Sequence, residues 1–225
     1  MDWFFEGVVM MQIQILTDRY PALSVCAGDI VKAYEKMLAV YEGGGKMLLC
    51  GNGGSAADSE HIVGELMKGF LLKRPPLQAD REAFAGLFPE DADYFAANLQ
   101  RGIPAISLVS QSAVQTAFNN DVAADMVFAQ QVYGYGRPGD LVMGITTSGN
   151  SKNVVNAMKV AKAMGLVTIG LTGAKESVLS AICDVTIRVP ETETYKVQEL
   201  HLPVYHWLCA ALEDTVFAAD EQQCR

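Results

Sequence analysis

The residues best suited to chemistry in this chain fall in two loops and on one predicted helix face. Four hydroxyl side chains occur close together, at Thr146, Thr147, Ser148 and Ser151. They stand between an apolar run and an amphipathic segment, so hydroxyl and peptide N–H donors would meet near a helix N-terminus. Such donors suit the three oxygens of a phosphate monoester without lysine or arginine. The alternative is that one or two of them only cap the following helix.

The second loop is rich in glycine and lies earlier in the chain. An apolar run at residues 47–50 ends in Gly51-Asn52-Gly53-Gly54-Ser55. Glycines can adopt backbone angles closed to other residues, so peptide N–H groups can converge on an anion at the start of a helix. Strand-to-helix turns also use glycine for steric reasons, which is the alternative. Two such loops at the carboxyl ends of strands in one parallel sheet favour a ligand site there.

Ionisable side chains with helical spacing follow the glycine loop. His61 and Glu65 are four residues apart on a predicted helix of residues 59–68, capped by Asp58, so they share one face. A further histidine, His206, lies near the C-terminal end. A carboxylate and an imidazole can act as base and acid, since partial burial brings either pKa near neutrality. The alternative is a solvated His–Glu pair and a structural histidine.

Length and composition place the chain among globular proteins. Its 225 residues suffice for one sizeable domain, and half of them are apolar. A formal net charge of −9 disfavours a nucleic-acid surface, and no window reaches the roughly 18 apolar residues of a membrane span. The five cysteines are scattered, without a C-x-x-C pair, which suits a reducing compartment and disfavours a thiolate zinc site. We therefore expect a soluble cytoplasmic protein that binds neither nucleic acid nor membrane.

Short apolar runs alternate with helical patterns along most of the chain. This order is typical of a doubly wound α/β fold, in which a parallel sheet has helices on both faces. We predict one domain over residues 1–225, with a helical N-terminal extension at 1–42 and a surface excursion at 71–102 that contains one helix near 91–100. Residues 119–121 are predicted to form a turn. The predicted strands are residues 47–50, 105–109, 141–145, 167–171 and 185–189.

Three separated motifs carry a family resemblance. They are Gly51-Asn52-Gly53-Gly54-Ser55-Ala56-Ala57-Asp58 with His61 and Glu65, then Thr147-Ser148-Gly149-Asn150-Ser151, then Gln198-Glu199-Leu200-His201 with His206. In this order they resemble the sugar isomerase (SIS) domain family and, within it, the phosphoheptose isomerases. The resemblance covers nearly the whole chain, and three motifs in the right order are far more specific than any one of them.

The resemblance implies a fold, an assembly and an activity. Members have a five-stranded parallel sheet flanked by helices and are usually homotetramers with active sites at subunit contacts. They interconvert sedoheptulose 7-phosphate and a glycero-manno-heptose 7-phosphate. Some relatives with this fold instead bind a replication initiator or sense sugar phosphates inside regulators. A non-catalytic binding protein is therefore the alternative function.

The resemblance also implies roles for individual residues. Glu65 and His206 take the places of the catalytic base and acid. Zinc, which several members bind, would be held by His61, Glu65, Gln198 and His206. Thr146 stands where the family usually has serine, which keeps the hydroxyl and adds a methyl group. The expected substrate contacts are Asn52, Gly53, Gly54, Ser55, Asn120, Asp121, Thr146, Thr147, Ser148, Ser151 and Gln198.

The chemistry of aldose–ketose isomerisation agrees with these roles. The reaction moves a proton between adjacent carbons through an enediol, so it needs a base at carbon and an acid for the oxygens. A divalent cation touching both oxygens would stabilise the developing enediolate. Two imidazoles, a carboxylate and an amide form a plausible ligand set for such an ion.

Two features depart from this simple picture. Gln198 and His206 are eight residues apart, about 12 Å along an ideal helix, so a straight helix does not easily bring both to one ion. Either Pro203 kinks the helix, or the helix starts near Leu202, or the two side chains serve different copies of the site. The excursion at 71–102 is longer than expected in ordinary phosphoheptose isomerases, and would form a lid over the pocket or pack at an interface.

Overall fold

A five-stranded parallel sheet forms the centre of the protein. The computed structural model describes residues 2–223, with side chains for residues 9–218. The strands are β1 (Met47–Gly51), β2 (Ala105–Ser107), β3 (Leu141–Ile145), β4 (Val167–Thr172) and β5 (Val185–Arg188). They lie in the order β2-β1-β3-β4-β5, and all pairs are parallel. The predicted doubly wound fold is therefore confirmed, although β2 ends two residues earlier than expected.

Alternate side chains of the sheet enter two separate hydrophobic cores. In β1, Met47 and Leu49 belong to one core and Leu48 and Cys50 to the other. Both faces are therefore covered, which is why the strands are continuous apolar runs. The first core is covered by α1 (Asp2–Arg19), α2 (Ala27–Glu42), α3 (Gly54–Met67) and α10 (Thr194–Gln223), and the second by α7 (Val127–Tyr135), α8 (Lys152–Ala163) and α9 (Val178–Ile182).

The N-terminal helices pack on the first core. A 3-10 helix at Pro21–Cys26 separates α1 from α2. Ile30 and Met37 of α2 are almost fully buried, so α2 is part of the layer that covers the sheet. Among the described residues, no helix has both the length and the apolar character needed to cross a membrane.

The excursion contains two helices, where the sequence predicted one. The expected helix is α5 (Ala92–Asn98), and α4 (Gln78–Leu87) precedes it. The rings of Phe84 and Phe95 pack edge to face between these helices, with centroids 5.7 Å apart. Pro75 and Pro76 both precede Leu77, the N-cap residue of α4, so they lie outside the helix and do not interrupt it.

Two local predictions around loops are wrong. Helix α3 starts at Gly54 and not at Ser59, because Gly53 has φ +57° and turns the chain directly into the helix. Asp58 therefore lies inside the helix and is no cap. Residues 119–121 form the last turn of α6 (Ser112–Asp121), where the N–H of Val122 still donates to the carbonyl of Phe118.

Candidate active site

The two predicted loops meet at the point where the strand order reverses. From β1 the chain passes to β2 on one side, and β3 lies on the other side of β1. In open α/β sheets, ligands bind outside the carboxyl ends of the strands at such a switch point. The glycine loop follows β1 and the hydroxyl loop follows β3, so the fold brings both to the expected place.

The hydroxyl loop is organised around a buried threonine. The Oγ1 atom of Thr146 lies 2.8 Å from the Oγ of Ser151 and 3.4 Å from the Oγ of Ser148. Ser151 is the N-cap residue of α8, but its side chain makes no capping hydrogen bond. The capping alternative therefore does not account for these hydroxyls. They cluster at a helix N-terminus, where an anion is stabilised.

The glycine loop is tied to the hydroxyl loop by a pair of amides. Asn52 and Asn153 each donate to the other across 2.9 Å. Ser55, by contrast, is buried beneath the loop, where its backbone packs against Gly51. The amide pair fixes the distance between the loop after β1 and the start of α8.

Gly54 is the point where Gln198 contacts the glycine loop. A Cβ atom on Gly54 would stand 2.4 Å from the Nε2 atom of Gln198. That separation is too short for two non-bonded atoms, so only glycine leaves the Gln198 amide in its position. The Gln198 side chain therefore belongs to the loop end of the site.

We expect Gly54→Ala to fold and to lose activity, because the added methyl group displaces the Gln198 amide. A displacement of about 1 Å in a positioning group can reduce kcat/KM by ~100-fold. Gly64→Ala on the same helix is the matched control, since a Cβ there meets nothing within 4 Å. It should keep full activity and gain about 0.5–1 kcal/mol of stability. Equal kcat/KM values for the two variants would contradict this role of Gly54.

A cluster of ionisable side chains lies further along α3, against α10. The Nε2 atom of His61 is 3.3 Å from the Oε1 atom of Glu65, and the Nζ atom of Lys68 is 3.0 Å from the Oε2 atom of Glu65. The ring of His206 meets the ring of His61 edge-on, with centroids 5.0 Å apart. The structure thus brings Glu65, His61 and His206 together, as the family resemblance implies.

The electrostatics of this cluster suit a base beside a neutral imidazole. Partial burial raises the pKa of Glu65, but Lys68 and His61 outweigh it and bring the net pKa below its usual value. Burial, followed by the neighbouring His61, lowers the pKa of His206. At neutral pH, Glu65 is therefore a carboxylate and His206 a neutral imidazole, which keeps one N–H to donate.

The third histidine belongs to the core. His201 is fully buried, and burial lowers its pKa to about 4. Asn120 and Asp121 lie exposed on the last turn of α6, where Asn120 donates to Asp121 across 2.8 Å. Because α6 packs chiefly against α7 and the 3-10 helix Ala124–Met126, the structure does not place these two side chains with the loops.

The predicted metal ligands are only partly gathered. Helix α10 runs through Pro203 without interruption from Thr194, so it does not start near Leu202. The Gln198 side chain contacts Gly54. Gly54 precedes His61 by seven residues on α3, a distance of about 10 Å along the helix. Within the described part of the chain, no three His, Cys, Asp or Glu side chains are already arranged to hold a metal ion.

The chemistry of the donors nevertheless fits zinc. Two imidazoles and a carboxylate are ligands that zinc prefers. The buried Nε2 atom of His206 has no hydrogen-bond partner among the described residues. An unsatisfied buried nitrogen is costly, and coordination would satisfy it. His61, Glu65 and His206 are therefore suitable zinc ligands, whereas Gln198 is not with them.

Two groups of contacts were not predicted from the sequence. The hydroxyl of Tyr205 lies 3.1 Å from the Nδ1 atom of His61 and donates to Asp58 across 3.3 Å. Arg74 and Glu213 form a fully buried ion pair at 2.8 Å. Both join residues that are more than 130 positions apart, so no local pattern signals them.

Comparison with known proteins agrees with the fold and the motifs. Residues 22–86 and 88–173 match the SIS domain family. A phosphoheptose isomerase of Rhodospirillum rubrum is 36% identical over 211 residues, which cover 94% of this chain and 98% of the relative. A phosphoheptose isomerase of Maridesulfovibrio salexigens is 40% identical over 191 residues, which cover 85% of this chain and 79% of the relative.

Solved structures give the same result. A phosphoheptose isomerase from Neisseria gonorrhoeae superposes with a TM-score of 0.69 at 31% identity, over 93% of this chain and 98% of that one. A phosphoheptose isomerase from Francisella tularensis superposes with a TM-score of 0.71 at 27% identity, over 95% of this chain and 96% of that one. The predicted family is therefore confirmed: this chain belongs to the SIS domain family, in its phosphoheptose isomerase group.

Proposed function

We propose that this protein is an aldose–ketose isomerase that interconverts sedoheptulose 7-phosphate and glycero-manno-heptose 7-phosphate. The observation that carries the proposal is the cluster of Glu65, His61 and His206 beside two anion-suited loops at the switch point of the sheet. The relatives named above are phosphoheptose isomerases, which supports the heptose. A binding protein needs the loops alone and has no use for the acid–base cluster.

In this proposal, the Glu65 carboxylate removes the proton from C1 of the ketose and returns it to C2. Electrons from the broken C–H bond form the C1–C2 double bond of the enediolate, and the π electrons of the C2 carbonyl group move to its oxygen. His206 donates its N–H proton toward that oxygen, while the other hydroxyl loses its proton to the imidazole. Gln198 donates to a sugar oxygen at the glycine loop, and the hydroxyl loop holds the phosphate.

Zinc is the cofactor that we propose for this site. His61, Glu65 and His206 would hold it, and Gln198 would join them only after its side chain moves from Gly54. When bound, zinc supplies positive charge that stabilises oxyanions. Titration of metal-free protein with zinc should show binding that His206→Asn weakens. Unchanged affinity in His206→Asn would rule out this ligand assignment.

We also propose that the protein is a cytoplasmic homotetramer with active sites at subunit contacts. Met10, Met11 and Ile15 of α1 are each about 60% exposed, and an apolar helix face favours contact with another subunit. The cysteines at 26, 50, 183 and 209 are free thiols, which supports a reducing compartment. Size-exclusion chromatography with light scattering measures the molar mass of the assembly, and the mass of a single chain would contradict the proposed tetramer.

The phosphate role of the hydroxyl loop predicts a large effect of Thr146→Val. This substitution keeps the shape of a buried side chain and removes the hydroxyl that lies 2.8 Å from Ser151. Loss of a hydrogen bond to a charged group costs about 1.5–3 kcal/mol, so we expect KM to rise about tenfold or more while kcat changes little.

Thr168→Val is the matched control for Thr146→Val. Thr168 is likewise buried but lies near the start of β4, away from the loops, and its hydroxyl donates to Asp184 across 2.9 Å. The control should lose stability but keep KM. A normal KM in Thr146→Val, or an equal rise in both variants, would contradict the phosphate assignment.

The direct test of the proposal is turnover by the purified wild-type protein. Sedoheptulose 7-phosphate should be converted to the aldose, with faster turnover after zinc is added to metal-free protein. Shorter ketose phosphates serve as competing substrates. If wild type bound sugar phosphates and converted none of them, the isomerase proposal would fail and a binding protein would replace it.

A further inference from the structure

Asn150 is a residue of the hydroxyl loop that the reaction described above does not use. Its side-chain amide makes two hydrogen bonds. The Nδ2 atom donates to the carbonyl of Ser148 at 2.9 Å, and the Oδ1 atom accepts from the backbone N–H of Val178 at 3.0 Å. Because a carbonyl only accepts and a backbone N–H only donates, one orientation of the amide satisfies both contacts. Asn150 therefore ties the loop after β3 to the first residue of α9, 28 positions along the chain.

Helix α9 is a firm support for this contact. Leu179 is fully buried in the second core, and a capping box closes the start of the helix. The first N–H groups of a helix have no partners within it. Those of Val178 and Leu179 donate instead to the Asn150 side chain and to the carbonyl of Gly149, the latter at 3.2 Å. The start of α9 thus holds two consecutive residues of the hydroxyl loop.

The loop and α9 approach each other too closely for a side chain at Gly149. Gly149 has φ +67°, which favours glycine. A Cβ atom there would stand 2.1 Å from the Oγ atom of Ser177, the N-cap residue of α9. The N–H of Gly149 donates to the carbonyl of Thr146 at 3.1 Å, which closes a turn. The turn that presents the hydroxyls is therefore seated directly on α9.

This arrangement leaves the Ser148 hydroxyl with a proton for a ligand. The backbone N–H of Asn150 donates to the Oγ atom of Ser148 at 3.2 Å, so the oxygen already serves as an acceptor. A hydroxyl has one proton to donate. The Oγ1 atom of Thr146 lies 3.4 Å away, well beyond the roughly 2.7–2.8 Å of a strong hydroxyl–oxygen bond. An oxygen of a phosphate ester would offer the Ser148 proton a better acceptor.

We propose that Asn150 is a positioning residue for phosphate binding: it braces the hydroxyl loop against α9 and holds the Ser148 hydroxyl toward the phosphate. This inference rests on the proposed phosphate role of the hydroxyl loop. Asn150 acts through Ser148 and touches no reacting atom of the sugar. Its loss should therefore weaken affinity and leave proton transfer at Glu65 intact.

The test removes each half of the contact separately. Asn150→Ala deletes the amide, and Val178→Pro deletes the N–H that the amide accepts. Proline suits the first position of a helix, and the preceding Ser177 is extended, with φ −152° and ψ 173°, as a residue before proline should be. Val178→Ala is the matched control, because it shortens the same partly exposed side chain and keeps the N–H. We expect Asn150→Ala and Val178→Ala to unfold at similar midpoints, since Asn150 is exposed.

Calorimetric titration of the full chain with inorganic phosphate measures the affinity of the loop without turnover. The Kd should rise by about 3- to 10-fold in Asn150→Ala and in Val178→Pro, the size expected from losing one or two neutral hydrogen bonds. Val178→Ala should match wild type. The double variant should bind no more weakly than the weaker single variant, because both changes remove one shared contact.

Three calorimetric outcomes would overturn the proposal. The first is a wild-type Kd in Asn150→Ala, and the second is a double variant in which the two effects multiply. The third is a wild-type protein that binds no phosphate, which would also remove the phosphate role of the loop.

Kinetics with sedoheptulose 7-phosphate separate this inference from the proposed function. The KM of Asn150→Ala should rise by the same factor as its Kd for phosphate, with kcat within about twofold of wild type. If wild type is active and Asn150→Ala keeps a normal KM, the positioning role fails and the isomerase proposal stands. If wild type binds phosphate and converts no sugar, the isomerase proposal fails, and the Kd of Asn150→Ala still decides the role of Asn150.

Discussion

Glu65→Gln should remove nearly all turnover of sedoheptulose 7-phosphate and leave the protein folded. The amide has nearly the shape of the carboxylate but cannot accept a proton from carbon. A positioned general base contributes about 10²–10⁴-fold, so we expect kcat to fall within that range. The side chain is 14% exposed and contacts Lys68 and His61, and the unfolding midpoint should change little.

Glu60→Gln is the control for this substitution. Glu60 lies on the same helix, is exposed, and accepts a hydrogen bond from Ser110 at 2.9 Å. Loss of the Glu60 charge should not alter kcat. A Glu65→Gln protein that retained more than about a tenth of wild-type kcat would exclude Glu65 as the base.

Arg74→Met should destabilise the protein more than any other single change considered. Arg74 and Glu213 are both 0% exposed. Glu213 accepts from the backbone N–H groups of residues 70, 71 and 72, and Arg74 donates to the carbonyls of Leu66 and Glu65. The pair therefore joins the end of α3, the following loop and α10.

Removing one partner of a buried pair leaves an uncompensated charge and costs about 3–5 kcal/mol. Chemical denaturation of Arg74→Met should show a loss of this size in the free energy of unfolding. Lys32→Met breaks an exposed pair with Asp29 and should cost less than about 1 kcal/mol. Similar losses in the two variants would show that the buried network contributes little.

The parts of the fold that follow local patterns were predictable. The strands are apolar runs between turn residues, and the alternation with helices determines a parallel sheet. The two loops were predictable because each follows an apolar strand run, and together they lie at the carboxyl edge of a parallel sheet, where ligands bind. The start of α3 was not predictable, because it depends on the positive φ of Gly53. Many backbone conformations are open to glycine, and the sequence does not show which one Gly53 adopts.

Contacts between distant parts of the chain limited the prediction of the site. The pairing of Glu65 with His61 follows from a spacing of four residues, but the contact of His61 with His206 depends on how α10 packs on α3. The same packing places Tyr205 at Asp58 and Glu213 at Arg74. It also places Gln198 at Gly54, away from the cluster that the resemblance assigns it to.

The central claim is that Glu65 transfers a proton between adjacent carbons of a sugar phosphate. The most direct test incubates wild-type protein with sedoheptulose 7-phosphate in D2O and follows the product by proton NMR. We predict an aldose with solvent deuterium at C2, because a carboxylate that holds the proton between two steps exchanges it with water. An aldose without deuterium after many turnovers would point to hydride transfer, and no aldose at all would contradict the isomerase itself.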